Sequence, residues 1–160
     1  MKEQVIQLLE KNTIPYELFE HEAVFTIDEL KTFPLKPGQV IPKNLFLRDA
    51  TKKRFFLVAI SPDKRADLKS LREQLHTKAL SFASETTLKE QLNLTKGSVT
   101  ILGILNNEAK NVEVVIDRDL VNHPCLGFHP NDNTATVFLN FADIKTIIEH
   151  HGNTITYVDL

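Results

Sequence analysis

Val5, Leu8 and Leu9 recur at helical spacing near the start of the chain, which predicts a short amphipathic helix over residues 3 to 11. Pro15 ends that region, and residues 16 to 19 alternate as a strand does. Thr26 with Glu29 three residues later makes a capping box, predicting a helix that runs to about Phe33. PLKPGQVIP (34–42) holds three prolines and a glycine. Because 33 residues are too few to bury a core, it reads as an ordered surface loop rather than a linker. Residues 44–48 and 54–60 are strand-like and joined by the polar turn DATKK, a hairpin. Asp67 caps a helix to about Leu75 whose buried stripe is Leu68, Leu71 and Leu75. A short strand at 80–83 precedes Ser84, which caps a helix carrying Leu88 and Leu92. Residues 99–105 and 112–116 read as strands separated by the turn NNEAKN, and 134–139 as another. Asn140 caps a helix over 141–151 that Gly152 stops, and 155–158 forms a last strand. Strands and helices intermingle without regular βαβ alternation, so the fold class is α/β of the α+β kind, with a mixed sheet.

Composition adds a size and a setting. The chain has 160 residues, 42% hydrophobic and 25% charged, which fits one globular domain over residues 1–160. No internal repeat or low-complexity tract divides it. No apolar run approaches the ~18 residues of a membrane span, and MKEQVIQLLEKN is neither a signal nor a transit peptide. A single cysteine makes no internal disulfide. A cytoplasmic protein with no membrane partner is expected. Its net charge of -2 hides an asymmetry: residues 43–78 carry six Lys and four Arg against three Asp and one Glu. Such one-sidedness suits an encounter with a polyanion, and Lys52, Lys53 and Arg54 at the hairpin turn are candidate contacts to it. Simple solvation of that turn is the competing reading.

Candidate chemistry is sparse. Five glycines form no phosphate-binding loop or dinucleotide fingerprint, and no serine sits in a nucleophile elbow. HPCLGFH offers His123, Cys125 and His129, but this spacing is unusual for zinc and no second ligand pair exists, so no metal is expected. His150 and His151 are adjacent on a helix and point apart. Cys125 reads as a small buried hydrophobe. Two segments resist a packing explanation. KNLFLRD (43–49) sets Lys43 and Asn44 at the entrance to an apolar strand, where a compact cation could meet a phosphate or an oxyanion. FHPNDNTAT (128–136) gathers a histidine, asparagines and threonines in a loop feeding a strand, although turn formation explains much of it.

Together KNLFLRD, FFLVAI, DLKSLREQL, LSFASETTLKEQLNLTKGSVT, ILGILNN, VEVVID and FHPNDNTATVFL resemble the YbaK-like aminoacyl-tRNA deacylase family. Within it they are most similar to the free-standing prolyl-tRNA-synthetase-associated editing proteins that hydrolyse alanyl-tRNA(Pro). The resemblance is collinear from about residue 3 to the C-terminus. It implies a compact domain with a curved mixed sheet and flanking helices, and hydrolysis of the ester joining a wrong amino acid to the tRNA 3′ end. No metal or cofactor is implied. Aminoacylated tRNA would be the partner, with transient engagement of prolyl-tRNA synthetase. The family's essential lysine matches Lys43 and its loop histidine matches His129, the implied catalytic pair. Asn44, Ser98, Gly103, Asn133 and Thr134 match substrate-binding positions. Where the family commonly has proline, this chain has Ile101, a departure that bears on the shape of the 97–103 loop. The resemblance also implies that the substrate's ribose 2′-hydroxyl helps activate the attacking water. A deacylase of cysteinyl- or seryl-tRNA, or a non-catalytic tRNA-binding module, are the alternatives, and Lys43 favours an enzyme.

Overall fold

The computed structural model describes residues 2–23 and 34–160, so the helix expected from Thr26 to Phe33 lies outside the described residues. The first helix, α1 (Lys2–Lys11), buries Val5 and Leu9. Strand β1 (Glu17–Glu20) follows. The hairpin forms as the sequence predicts, with β2 (Lys43–Asp49) antiparallel to β3 (Phe55–Ile60). Helix α2 (Leu68–Gln74) starts at Asp67, whose side chain accepts from the Ser70 amide. After β4 (Leu80–Phe82), Ser84 caps α3 (Glu85–Leu92) in the same way through Thr87. A 3₁₀ segment (Ile101–Asn106) then leads to β5 (Val112–Asp117). Strands β6 (Leu126–Phe128) and β7 (Ala135–Leu139) precede α4 (Phe141–His151), which Asn140 caps and Gly152 ends with φ 105°. Strand β8 (Ile155–Val158) closes the chain.

Five strands form a sheet in the order β4-β2-β3-β5-β8, and three form a second in the order β1-β7-β6. The larger sheet is mixed, since β3 runs antiparallel to β2 but parallel to β5, and β5 parallel to β8. All six residues of β3 are buried, the continuous apolar run of a central strand covered on both faces. Alternation splits them between two cores. Leu57 and Ala59 face α1, α3, α4, the 3₁₀ segment and the small sheet, whereas Phe56 and Val58 face Leu71 of α2 and Leu75 at its end.

One expectation fails, and one strand escapes the sequence pattern. Residues 99–105 do not form a strand. The parallel β3–β5 pairing occupies the place a strand would take, and Thr100 Oγ1 instead accepts the Leu102 amide to start a 3₁₀ turn. Gly103 makes that turn fit, because a Cβ there would stand 2.6 Å from Leu94 Cδ1. Strand β6 was not anticipated: it has three residues centred on Gly127, where a Cβ would stand 2.7 Å from the Phe138 ring. A strand so short leaves no legible alternation.

Candidate functional site

The site is built around the first two residues of β2. In a strand neighbouring side chains leave opposite faces, so Lys43 and Asn44 part company at once. The Lys43 ammonium donates to the Lys64 carbonyl. Lys64 is itself anchored, its Nζ 3.0 Å from buried Asp117 and 2.7 Å from Asp119. Those two carboxylates, Asp119 foremost, raise the Lys64 pKa and keep the ammonium charged. Asn44 turns the other way. Its Oδ1 accepts the Ile101 amide at 2.8 Å, and its Nδ2 donates to the Pro42 carbonyl at 3.2 Å. Proline at position 101 has no N–H to give, so the departure noted in the sequence supplies the hydrogen bond that commits the Asn44 side chain.

A cleft of about 460 Å³ opens beside Asn44, within the range of small-molecule sites. Phe46, Phe82 and Leu88 give it apolar walls, Gly97 and Val99 supply backbone from the loop, and Glu85 and Lys96 bring one charge of each sign. Sequence reasoning missed Phe82, Leu88 and Lys96, which converge because β4 pairs with the last three residues of β2 and brings the chain that follows it beside the strand's start. Ser98 is half-buried next to this lining, its amide bonded to the Thr95 carbonyl at 3.0 Å. Gly103 is buried in the 3₁₀ segment and does not line the cleft, its amide bonded to the Thr100 carbonyl at 2.9 Å.

The histidine loop supports the same segment from the far side. Thr100 Oγ1 donates to the His129 carbonyl at 2.8 Å, and Asn131 Nδ2 donates to the Leu102 carbonyl at 3.4 Å. His129 Nδ1 lies 2.9 Å from the Ala135 carbonyl. A carbonyl only accepts, so Nδ1 carries the hydrogen and Nε2 keeps its lone pair when the ring is neutral. Burial pushes the His129 pKa down and favours that neutral form. His21 stands beside it, ring centroids 6.0 Å apart, with its Nε2 2.9 Å from Thr136 Oγ1. The Thr134 hydroxyl donates to Asp132 and helps hold that carboxyl below the usual carboxylate range, so this side chain shapes the turn. Asn133 is half-buried in the same turn.

The geometry thus unites Asn44, the 97–103 loop and the His129 loop through hydrogen bonds, and sets the Lys43 amine on the opposite face of β2. The remaining candidates lie elsewhere. Lys52 and Lys53 are exposed at the hairpin turn, about 20 Å from Asn44 at ~3.3 Å per strand residue. Arg54 is engaged: it forks onto Glu113 at 2.8 and 3.0 Å, and stacks 5.0 Å above the Phe56 ring. Cys125 is half-buried with its thiol pKa raised by burial, and His123 Nδ1 accepts the Cys125 amide at 3.1 Å. Among the described residues no three His, Cys, Asp or Glu side chains gather as a metal would require.

Comparison with known proteins locates this arrangement. The model of the aminoacyl-tRNA editing domain matches residues 21–147. The chain is 43% identical over 159 residues to the prolyl-tRNA editing protein ProX of Acetoanaerobium sticklandii, covering 99% of this chain and 97% of that one. It is 31% identical to prolyl-tRNA synthetase associated domain-containing protein 1 of Danio rerio, over 96% of this chain and 84% of that one. A solved structure of a candidate trans-editing enzyme for prolyl-tRNA synthetase superposes with a TM-score of 0.71 at 18% identity, covering 99% and 97% of the two chains, which shows the shared fold. Cleft, loop and strand entrance all fall within the matched region, and the chain belongs to the aminoacyl-tRNA editing domain family.

Proposed function

We propose that this protein is a trans-editing hydrolase that removes alanine from mischarged tRNA(Pro). The near full-length identity of 43% to a prolyl-tRNA editing protein carries the reading. The cleft beside Asn44, of a size for a small ligand, supports it. A synthetase pocket shaped for proline discriminates weakly against smaller alanine, because missing methylenes are worth only ~1–3 kcal/mol. A second cleft that admits alanine and refuses proline corrects the error.

Hydrolysis needs a placed water, stabilisation of the tetrahedral oxyanion and a route for the proton, with no covalent nucleophile. Water adds to the acyl carbon, the bond from that carbon to the ribose oxygen breaks, and a proton passes to the departing oxygen. Lys43 supplies a compact positive charge for the phosphate of the terminal nucleotide, reached by swinging its flexible stem from the Lys64 carbonyl around the open start of β2. His129, neutral with a free Nε2 lone pair, orients the 97–103 loop and offers a nearby proton acceptor. No helix among the described residues is long and apolar enough to cross a membrane. The chain would act as one editing domain in the cytoplasm, meeting prolyl-tRNA synthetase transiently as tRNA is handed over.

Purified protein assayed against tRNAs carrying alanine, cysteine, serine and proline tests the reading. Clearance of alanyl-tRNA(Pro) ahead of the others is expected. Preference for cysteinyl- or seryl-tRNA would move the specificity, and binding without hydrolysis would leave a tRNA-binding module.

A further inference from the structure

The hydrogen-bond parity of β2 leaves one residue with its main chain turned to the cleft. In an antiparallel pair, a residue that exchanges both main-chain bonds with one neighbour points N–H and C=O the same way, and the next residue points them the other way. The Asp49 amide donates to the Arg54 carbonyl at 3.1 Å, so the series Lys43, Leu45, Leu47 and Asp49 faces β3. The Phe46 carbonyl accepts the Ala83 amide at 3.0 Å, so the series Asn44, Phe46 and Arg48 faces β4. Strand β4 ends at Phe82, and its register covers only Leu47 to Asp49. Beyond it, no main-chain bond from the described residues occupies the Asn44 N–H or C=O. The Asn44 side chain is already taken by Ile101 and Pro42, so the main chain is what this residue has left for a ligand in the cleft it lines.

Resting on the editing reading above, we propose that the Asn44 main chain holds the aminoacyl group as a one-residue β-bridge, its N–H donating to the ester carbonyl oxygen and its C=O accepting from the α-ammonium. An α-aminoacyl group carries its nitrogen and carbonyl oxygen at the spacing of one strand residue, so it matches both halves of a hydrogen-bonded pair. The Glu85 carboxylate in the same lining complements the ammonium charge. When water adds to the acyl carbon, the carbonyl electrons move onto oxygen and the Asn44 N–H stabilises the anion. They return as the bond to ribose breaks and the ribose oxygen takes the proton. The β2–β3 ladder fixes that N–H beforehand, so no reorganisation accompanies the step.

Incorporating the α-hydroxy analogue of asparagine at position 44 of the full chain tests this, because the resulting backbone ester deletes the Asn44 N–H and leaves its side chain. The same change at position 47 deletes an N–H of the β2–β3 ladder and serves as the control. The ester at 44 should lower kcat on alanyl-tRNA(Pro) about 100-fold, the usual effect of losing one oxyanion donor. The ester at 47 should lower the melting temperature while kcat stays within about threefold of wild type. A position-44 ester that keeps more than about a tenth of wild-type kcat overturns the proposal. A second arm needs only wild-type protein: propionyl-tRNA(Pro), lacking the ammonium, should lose tenfold or more in kcat/KM after correction for its spontaneous hydrolysis, about what one charged hydrogen bond is worth. Equal corrected rates overturn the proposal as well. Wild-type protein inert toward alanyl-tRNA(Pro) would instead remove the editing reading on which the bridge rests.

Discussion

Lys43 and His129 carry different burdens. The Lys43 amine is held by one carbonyl and buries no partner, so removing it should cost little stability. Lys43→Ala is expected to stay folded and to lose deacylation, because the neighbouring Lys64 ammonium is committed to Asp117 and Asp119 and does not replace it; full activity in that variant would contradict the proposed role. The role proposed for His129 rests on its neutral form. Burial places its pKa below the ordinary 6.5, so the unfolded chain takes up a proton first as pH falls. Wherever the unfolded state binds more protons, stability rises with pH. The contribution of His129 is therefore complete above about pH 6.5 and is lost as the solution becomes more acid, down to the folded pKa. His129→Asn keeps a donor for the Ala135 carbonyl and removes the titration. Urea unfolding between pH 5 and 8 should show a shallower acid loss in that variant, with hydrolysis reduced but measurable. An unchanged slope would mean that His129 does not titrate as its burial dictates.

Among the elements, the 3₁₀ segment decides the shape of the site. Thr100 starts it in extended conformation with φ -144°, a backbone that also suits the residue before a proline. Proline is accepted in the first turn of a helix. Ile101→Pro should therefore fold, but Asn44 Oδ1 loses its donor and the core loses a fully buried side chain. A destabilisation of about 1–2 kcal/mol is expected in urea unfolding, a lost hydrogen bond plus imperfect refilling. An unchanged midpoint would show that the Asn44–Ile101 bond holds nothing. This segment also marks where sequence legibility stopped. Asp67, Ser84 and Asn140 announced their helices because a cap is a local bond, made within three residues. The β2–β3 hairpin was equally local. The run VTILGIL reads as a strand because short apolar runs look alike in strand and buried turn, and only the distant β3–β5 pairing decides between them. Lys43, Asn44 and His129 were legible as residues, but the opposed directions of Lys43 and Asn44 and the capture of Arg54 by Glu113 depend on contacts far along the chain.

For the molecule as a whole, charge is arranged along the long axis of the β2–β3 hairpin. Exposed Lys52 and Lys53 stand at the turn and the cleft at the other end, so a tRNA with its 3′ end in the cleft and its acceptor stem along the hairpin would meet them. Each phosphate contact adds ~0.7–0.9 to the slope of log affinity against log salt. Replacing Lys52 and Lys53 by alanine should weaken tRNA binding and flatten that slope by about one to two units, while a minimal aminoacyl-nucleotide is hydrolysed as before. Equal loss on both substrates would make the turn part of the site or the fold, and loss on neither would reduce it to a solvated surface. Arg54 should not contribute to that slope, since its guanidinium already serves Glu113 and the ring of Phe56. Selective ester hydrolysis is the property the cleft must deliver, and single-turnover release of amino acid from alanyl-tRNA(Pro) and from prolyl-tRNA(Pro) by the wild-type chain measures it. Rapid loss of alanine with prolyl-tRNA(Pro) left intact is the predicted result. Hydrolysis of both at the same rate, or of neither, would contradict it.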